Sequence, residues 1–111
     1  MLKVEIILDD IKVKRDSKYR IGTLKKFIDE RFDEKGLRKI PDEEGKLIYR
    51  DNGNSRIAYA DMWSIIFKLA RTQWFEQYVK DWNWFNSDSG DDENDFSVEN
   101  LMDLFNELKR A

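Results

Sequence analysis

Apolar and polar residues alternate over positions 2–8, from Leu2 to Leu8. That period of two is the pattern of a β-strand with one face buried. Residues 11–15 alternate again over a shorter and more basic stretch. We interpret this stretch as an edge strand or an extended arm, because lysines on an edge strand discourage pairing with other chains. The chain is therefore predicted to begin with two strands.

A helix is predicted next, over about residues 24–35. Thr23 is a suitable N-cap, and Gly36 tolerates the left-handed conformation at which helices commonly end. Apolar residues between these two positions recur at the spacing of one helical face. They are Leu24, Phe27, Ile28 and Phe32.

The dipeptide Asn52-Gly53 lies between two short apolar runs, residues 46–50 and residues 55–59. Asn-Gly in that setting is a strong signal for a β-hairpin, because both residues tolerate the positive φ angles of a tight turn. Residues 41–45 are turn formers as well. We therefore predict that the two runs pair as the strands of a hairpin.

No Gly or Pro interrupts residues 62–85, and apolar residues lie on more than one face of a helix drawn through them. This is typical of one largely buried helix, or of two helices with a bend near residues 71–73. Aromatic rings crowd its second half, at positions 74, 75, 78, 82, 84 and 85. Helical spacing places all of them except Trp84 on one face, which we interpret mainly as core, with an exposed binding cluster as the alternative.

Residues 86–95, NSDSGDDEND, are polar and acidic and are predicted to form a loop. Ser97 follows as a candidate N-cap, and Phe96 has hydrophobic-staple spacing to Leu101. The apolar stripe of the helix predicted there consists of Val98, Leu101, Met102, Phe105 and Leu108. Two basic residues then lie favourably at the C-terminal end of that helix.

These elements predict one α+β domain over residues 1–111, with a small mixed sheet in β-β-α-β-β order, a long buried helix and a C-terminal amphipathic helix. The element order of residues 2–59 resembles the β-grasp (ubiquitin-like) arrangement, with residues 46–50 as the returning strand. The resemblance implies that fold for the first half of the chain and no particular function. The sequence ends in Lys-Arg-Ala where conjugated members of that family carry a double glycine.

The composition excludes several kinds of chemistry. The 111 residues include no cysteine and no histidine, which removes disulfides, thiolate metal sites, cysteine nucleophiles and the commonest acid–base group. No Gly-rich phosphate loop is present, so we expect no enzyme activity, no cofactor and no metal site. No secretory signal or membrane span is recognisable either. We therefore expect a soluble, cytoplasmic protein that does not bind membranes.

The formal net charge of −3 conceals a difference between the two ends of the chain. Residues 1–80 hold 18 Lys and Arg against 14 Asp and Glu, whereas residues 81–111 hold two against nine. The first segment has a balance of +4 and the second a balance of −7. Opposite charges at the two ends would also permit self-association as a homodimer.

The acid-rich end is the candidate partner-binding surface. Carboxylates beside aromatic rings can imitate a phosphate backbone and attract a protein partner with a basic surface. The candidate residues are Asp88, Asp91, Asp92, Glu93, Asp95, Glu99, Asp103, Glu107, Trp82, Trp84 and Phe85. Small size and clustered acid without a cofactor resemble phage- and plasmid-encoded inhibitors of defence nucleases, including anti-CRISPR proteins and antirestriction DNA mimics. The resemblance implies a non-enzymatic inhibitor or nucleic-acid mimic, and an ordinary solvated acidic tail is the alternative.

The basic segment 12–26 supports a second interpretation, because it holds seven Lys and Arg against one Asp. Such a segment is typical of a nucleic-acid-binding or regulatory module. Direct nucleic-acid binding is the weaker expectation, since the whole chain is acidic and carries no recognised nucleic-acid-binding motif.

A calcium-dependent sensor or a carboxylate enzyme is the third interpretation. Asp88, Asp92, Asn94 and Glu99 occupy positions 1, 5, 7 and 12 of a twelve-residue EF-hand loop. Position 6, where the sharp turn requires glycine, is Glu93. The match therefore fails where the geometry of such a loop is strictest.

Overall fold

A computed structural model describes residues 1–41, 45–53, 55–87 and 96–110. These residues form five helices and five strands, which confirms the α+β class. In chain order the elements are β1 (Leu2–Leu8), α1 (Asp10–Asp16), α2 (Ile21–Asp33), β2 (Arg38–Ile40), β3 (Leu47–Arg50), α3 (Ser55–Ala70), α4 (Gln73–Tyr78), β4 (Val79–Ser87), β5 (Phe96–Asn100) and α5 (Leu101–Arg110).

The strands form one sheet in the order β2-β3-β1-β4-β5, with β1 at its centre. Every strand pairing among the described residues is antiparallel, so the expected mixed sheet is not observed. The register places Val4 opposite Tyr49 on one side and opposite Trp84 on the other. Because residues opposite each other share a face, these three side chains lie on one side of the sheet.

The hydrophobic core lies between that face and the helices. Phe32 of α2 stacks on Tyr49 with the ring centroids 3.9 Å apart. Met62 and Ile66 of α3 are fully buried with it. The packing is that of a two-layer α/β sandwich, in which the helices cover one side of the sheet.

The predicted second strand is wrong, because residues 10–16 form the helix α1. Asp9 caps this helix, since its Oδ1 accepts a hydrogen bond of 3.0 Å from the Lys12 N–H. Val13 is buried against the core, whereas Ile11 is 80% exposed. The alternation of residues 11–15 suggested a strand with one buried face. Only Val13 of its two apolar residues is buried, and one buried residue is equally compatible with a turn of helix.

The helix predicted over residues 24–35 is confirmed as α2, which spans Ile21–Asp33. Gly36 follows it with a φ of +70°, the left-handed conformation expected of a helix stop. The helix begins earlier than predicted, with Arg20 at the N-cap position in place of Thr23.

The strand at residues 46–50 is confirmed as β3, but the predicted hairpin is wrong. Residues 55–70 form α3, whose buried residues recur at helical spacing. The turn that precedes α3 is organised by Asp51, whose carboxylate accepts hydrogen bonds from the Leu2 N–H at 2.7 Å and the Gly53 N–H at 3.0 Å. Gly53 has a φ of +97°, so the positive-φ signal was correct even though a helix follows it.

The bend predicted near residues 71–73 is confirmed, since α3 ends at Ala70 and α4 begins at Gln73. The continuation of the second helix to residue 85 is wrong, because residues 79–87 form β4. This strand pairs with β1 along most of its length. The central strand β1 has β3 on one side and β4 on the other. Pairing with β1, which is distant in sequence, therefore makes residues 79–87 a strand although their local pattern also suits a helix.

Residues 96–100 form β5 before the last helix, so Ser97 lies in a strand and is not its N-cap. That role falls to Asn100, whose Oδ1 accepts a hydrogen bond of 3.1 Å from the Asp103 N–H. Val98 belongs to β5 and is 57% exposed, so it is not part of the apolar stripe of α5. Residues 88–95, the greater part of the predicted loop, lie outside the described residues.

Candidate functional site

Three of the predicted acidic residues lie on the described surface, and together we call them the acidic surface: Glu99, Asp103 and Glu107. Glu99 projects from β5, and the other two are exposed at positions i and i+4 of α5. None of the three forms an ion pair with a residue that the structure describes. Asp88, Asp91, Asp92, Glu93 and Asp95 of the same prediction lie outside the described residues.

Acidic residues in the first half of the chain have a different environment, because most lie close to a cation. Asp29 contacts Lys39 at 2.9 Å, and Asp10 lies 3.7 Å from Lys25. Glu34 contacts Arg31 at 3.1 Å. Part of the positive charge in this half is therefore neutralised by ion pairs with nearby acidic residues.

Two of the three aromatic residues predicted for the partner-binding surface are buried. Trp82 is 3% exposed and Trp84 is 5% exposed, so neither belongs to the acidic surface. They point the same way because they are two residues apart in a strand, whereas helical spacing had separated them. Phe85 is half-buried on the opposite face of the sheet, where the Lys3 Nζ lies 4.5 Å from its ring centroid.

An apolar pocket of about 430 Å³ lies between α5 and the end of α3, with α4 and β4 completing its walls. Its aromatic rings contact one another. Trp82 lies 4.8 Å from Phe75 and 5.6 Å from Phe105, measured between ring centroids. Phe105 in turn lies 5.8 Å from Phe67. These ring contacts therefore hold the aromatic walls of the pocket in place.

Charged groups at the rim of the apolar pocket come from α4, from α5 and from the turn after α3. Glu76 of α4 pairs with Lys109 of α5, and this ion pair joins two walls of the pocket. Arg71, which follows α3, also lines it and forms no ion pair with any residue of the described part of the chain. Sequence reasoning assigned Phe105 to a core stripe and did not predict the pocket, because its shape depends on how α5 packs on α3.

The basic segment is divided between paired and unpaired cations. Lys25 lies near Asp10, and the Lys12 ammonium donates a hydrogen bond of 3.0 Å to the Gln77 carbonyl. A shallow groove beside them is lined by Lys14, Lys18, Tyr19 and Arg20. Its three cations form no ion pair within the described ranges, and the Tyr19 ring is 44% exposed.

The most perturbed titratable groups are tyrosines and one aspartate with structural roles. Burial, followed by the hydrogen bond to Asp29, raises the pKa of Tyr49 well above its ordinary value. Burial and a hydrogen bond to Asp16 likewise raise the pKa of Tyr78. Both phenols therefore stay protonated near neutral pH and serve as hydrogen-bond donors.

Burial tends to raise the pKa of Asp51, but four groups together outweigh it. They are the N–H groups of Leu2 and Gly53 and the positive charges of the N-terminus and Arg50. The pKa of Asp51 is therefore held below its ordinary value. This carboxylate fastens β1 to the turn before α3, which is a structural task.

Among the described residues no group of three or more acidic side chains is placed to hold a metal ion. Three of the four EF-hand positions, Asp88, Asp92 and Asn94, lie outside those residues. The helices within the described ranges are also too short or too polar to cross a membrane.

Comparison with protein-family models, curated proteins and solved structures finds no match to this chain. The resemblances to β-grasp proteins and to acidic inhibitors therefore stay predictions. Function has to be argued from the residues of this chain.

Proposed function

We propose that this chain is a non-enzymatic protein-binding domain that engages a partner with a basic surface through the acidic surface of β5 and α5. The observation that carries the proposal is that Glu99, Asp103 and Glu107 are exposed and that none of them has an ion pair with a described residue. In the first half of the chain most acids do have one. Carboxylates without an ion pair gain little from attraction within the fold, and those at positions i and i+4 of α5 repel each other. Attraction to a basic partner is therefore a physically sensible role for them.

The partner class that suits this chemistry is a protein that handles nucleic acid, such as a defence nuclease. Its groove for a phosphate backbone carries Lys and Arg, and carboxylates on β5 and α5 would occupy the places of phosphates. The same attraction would accelerate association at low salt. The absence of cysteine from the sequence suits a cytoplasmic setting for this inhibitor.

The test is affinity capture of partners from host lysate, followed by binding measurements with the purified partner. The informative variant carries Glu99→Gln, Asp103→Asn and Glu107→Gln. Its matched control carries Glu30→Gln, Asp33→Asn and Glu34→Gln, three exposed residues at the C-terminal end of α2. Both variants remove three negative charges, so they have the same formal net charge of zero in place of −3.

We expect the first variant to lose the partner and the control to retain it, at about 0.05 M NaCl and more weakly at about 0.5 M, because salt screens exposed charges beyond about 10 Å at 0.1 M. Equal capture of the partner by wild type, the variant and the control would contradict the proposal. Equal loss in both variants would also contradict it, because that result would assign binding to net charge and not to this surface.

One observation favours a second candidate function, nucleic-acid binding through the basic groove. Lys14, Lys18 and Arg20 surround an exposed Tyr19, and a positive groove with an exposed ring is typical of single-strand binding. Titration with a labelled single-stranded oligonucleotide tests it. Saturable, salt-dependent binding that is lost with Tyr19→Ala supports this function, whereas no binding at about 0.05 M NaCl would exclude it.

A further inference from the structure

The apolar pocket has the depth of a ligand site. Phe75 and Trp82, which form its floor, are 1% and 3% exposed. Phe67 and Leu108 at its mouth are 46% and 55% exposed. Its volume of about 430 Å³ falls within the range of roughly 300 to 1,000 Å³ that is usual for small-molecule sites.

The walls of the pocket are formed before any ligand enters. Phe105 stacks on Trp82 with an interplanar angle of 15°, while Phe67 meets Phe105 edge to face at 86°. Rings held by their neighbours lose little freedom when a ligand binds, so the cost of ordering the site is small. The body of the ligand that suits these walls is apolar.

The rim of the pocket determines the charge of that ligand. Glu76 and Lys109 neutralise each other in an ion pair. Arg71 remains, an exposed guanidinium with no ion pair among the residues that the structure describes. The charges of the described residues that line the pocket therefore sum to +1, and a guanidinium offers paired donors to a carboxylate or sulfonate.

The same geometry disfavours a partner helix. The Glu76–Lys109 ion pair joins the α4 wall to the α5 wall, and a helix laid along the pocket would have to displace it. The acidic surface uses the outer residues Asp103 and Glu107 of α5, whereas the pocket is lined by Met102 and Phe105. The two sites are separate, and this inference stands without the proposed function.

We propose that the apolar pocket binds a small amphiphilic anion, with its apolar body against Phe75, Trp82 and Phe105 and its carboxylate or sulfonate on the Arg71 guanidinium. A fatty acid of medium length and an aryl sulfonate share this chemistry. No covalent step is involved.

The test uses three ten-carbon probes on the intact chain, decanoate, decanol and decyltrimethylammonium, all below their micelle-forming concentrations. Binding is measured by displacement of anilinonaphthalene sulfonate fluorescence and by the rise in melting temperature that a ligand of the native state produces. We expect decanoate to bind more tightly than decanol, and decyltrimethylammonium to bind least. Equal affinity for the three probes, or no saturable binding of decanoate, would overturn the proposal.

The informative variant is Arg71→Gln, and Lys68→Gln is the matched control. Lys68 is an exposed cation in the last turn of α3, three residues before Arg71, and does not line the pocket. We expect Arg71→Gln to weaken decanoate binding by about tenfold, or about 1.4 kcal/mol, because the carboxylate loses a charged hydrogen-bond donor. Decanol affinity should not change in either variant. An equal effect of the two substitutions on decanoate would contradict the assignment of Arg71.

Amide shifts locate the bound probe independently of both variants. In ¹H–¹⁵N spectra, decanoate should shift Ala70, Met102 and Asn106, which line the pocket. Shifts confined to residues far from it, such as those of α1, would overturn the proposal even if binding is tight.

Discussion

The layer formed by α2 and β1–β3 differs from the region of β5 and α5 in how it uses both charge and apolar surface. In the first region, Asp29 forms an ion pair with Lys39 and accepts a hydrogen bond from the Tyr49 hydroxyl. In the second, the acidic side chains Asp103 and Glu107 form no ion pair with a described residue. The comparison shows that net charge alone does not identify an interaction surface, because the pairing of each charge decides whether it is available to a partner.

The two regions also differ in packing. Helix α2 buries Leu24, Ile28 and Phe32 to 3% exposure or less. Helix α5 buries only Leu101 to that degree among its described residues, while Phe105 remains half-buried beside the apolar pocket. The first region therefore contributes more buried apolar surface to the core than the second, and the second has side chains free for binding.

The largest expected effect compares one phenylalanine from each region. Phe32→Ala should lower the free energy of unfolding by about 3 to 5 kcal/mol, because a fully buried ring leaves a cavity. Phe105→Ala should cost about 2 kcal/mol, since its ring already borders empty space. Urea unfolding of both variants measures the difference. Equal losses would contradict the division into a stabilising region and a binding region.

A smaller effect concerns the turn between β3 and α3, at the end of the first region. Asp51→Asn should cost about 2 kcal/mol above pH 5, because two backbone N–H groups lose a charged acceptor. The folded-state pKa of Asp51 is lowered, so its contribution is present above the unfolded-state pKa of about 3.9 and is lost as the pH falls through the folded-state pKa. The stabilities of wild type and variant should therefore converge in acid. A gap that stays constant with pH would contradict this account.

Tyr49→Phe should cost about 1 kcal/mol at neutral pH, the usual net value of one hydrogen bond. The folded-state pKa of Tyr49 is raised, so its contribution is complete below about pH 10 and is lost as the pH rises through the folded-state pKa. Wild type should thus lose stability in alkali more steeply than the variant, as measured by unfolding at several pH values. An identical slope in the two proteins would show that Tyr49 does not couple folding to pH.

The sequence predicted the elements whose signals are local. Helix α2 has its apolar spacing and Gly36 within the same segment, and β1 has an unbroken alternation. Residues 74–85 satisfy both periods, since positions 74, 78 and 82 suit a helix while Trp82 and Trp84 suit a strand. Residues 79–87 form a strand because they pair with β1, and this long-range pairing cannot be read from the local sequence pattern.

The candidate site was predictable to a similar degree. The acids of α5 could be placed on an exposed face because the apolar stripe of that helix is regular. The burial of Trp84 and the apolar pocket depend on packing between elements distant in sequence, so no pattern in one segment predicts them. The helix α1 was missed for a different reason, because Asp9 was not recognised as its cap.

The smallest expected effect on stability is that of neutralising the acidic surface. The variant with Glu99→Gln, Asp103→Asn and Glu107→Gln should unfold within about 0.5 kcal/mol of wild type, as surface substitutions usually do. Relief of repulsion offsets the loss of the favourable interaction between Asp103 and the first turn of α5. Thermal and urea unfolding measure it. A loss of several kcal/mol would show that these carboxylates have structural partners.

The rate of association with the captured partner tests most directly whether the acidic surface attracts a basic partner. We expect the association rate of wild type to fall steeply between about 0.05 M and about 0.5 M NaCl. The variant neutralised at Glu99, Asp103 and Glu107 should associate slowly with little salt dependence, and the variant neutralised on α2 should behave as wild type. Identical salt dependence in all three proteins would contradict the account.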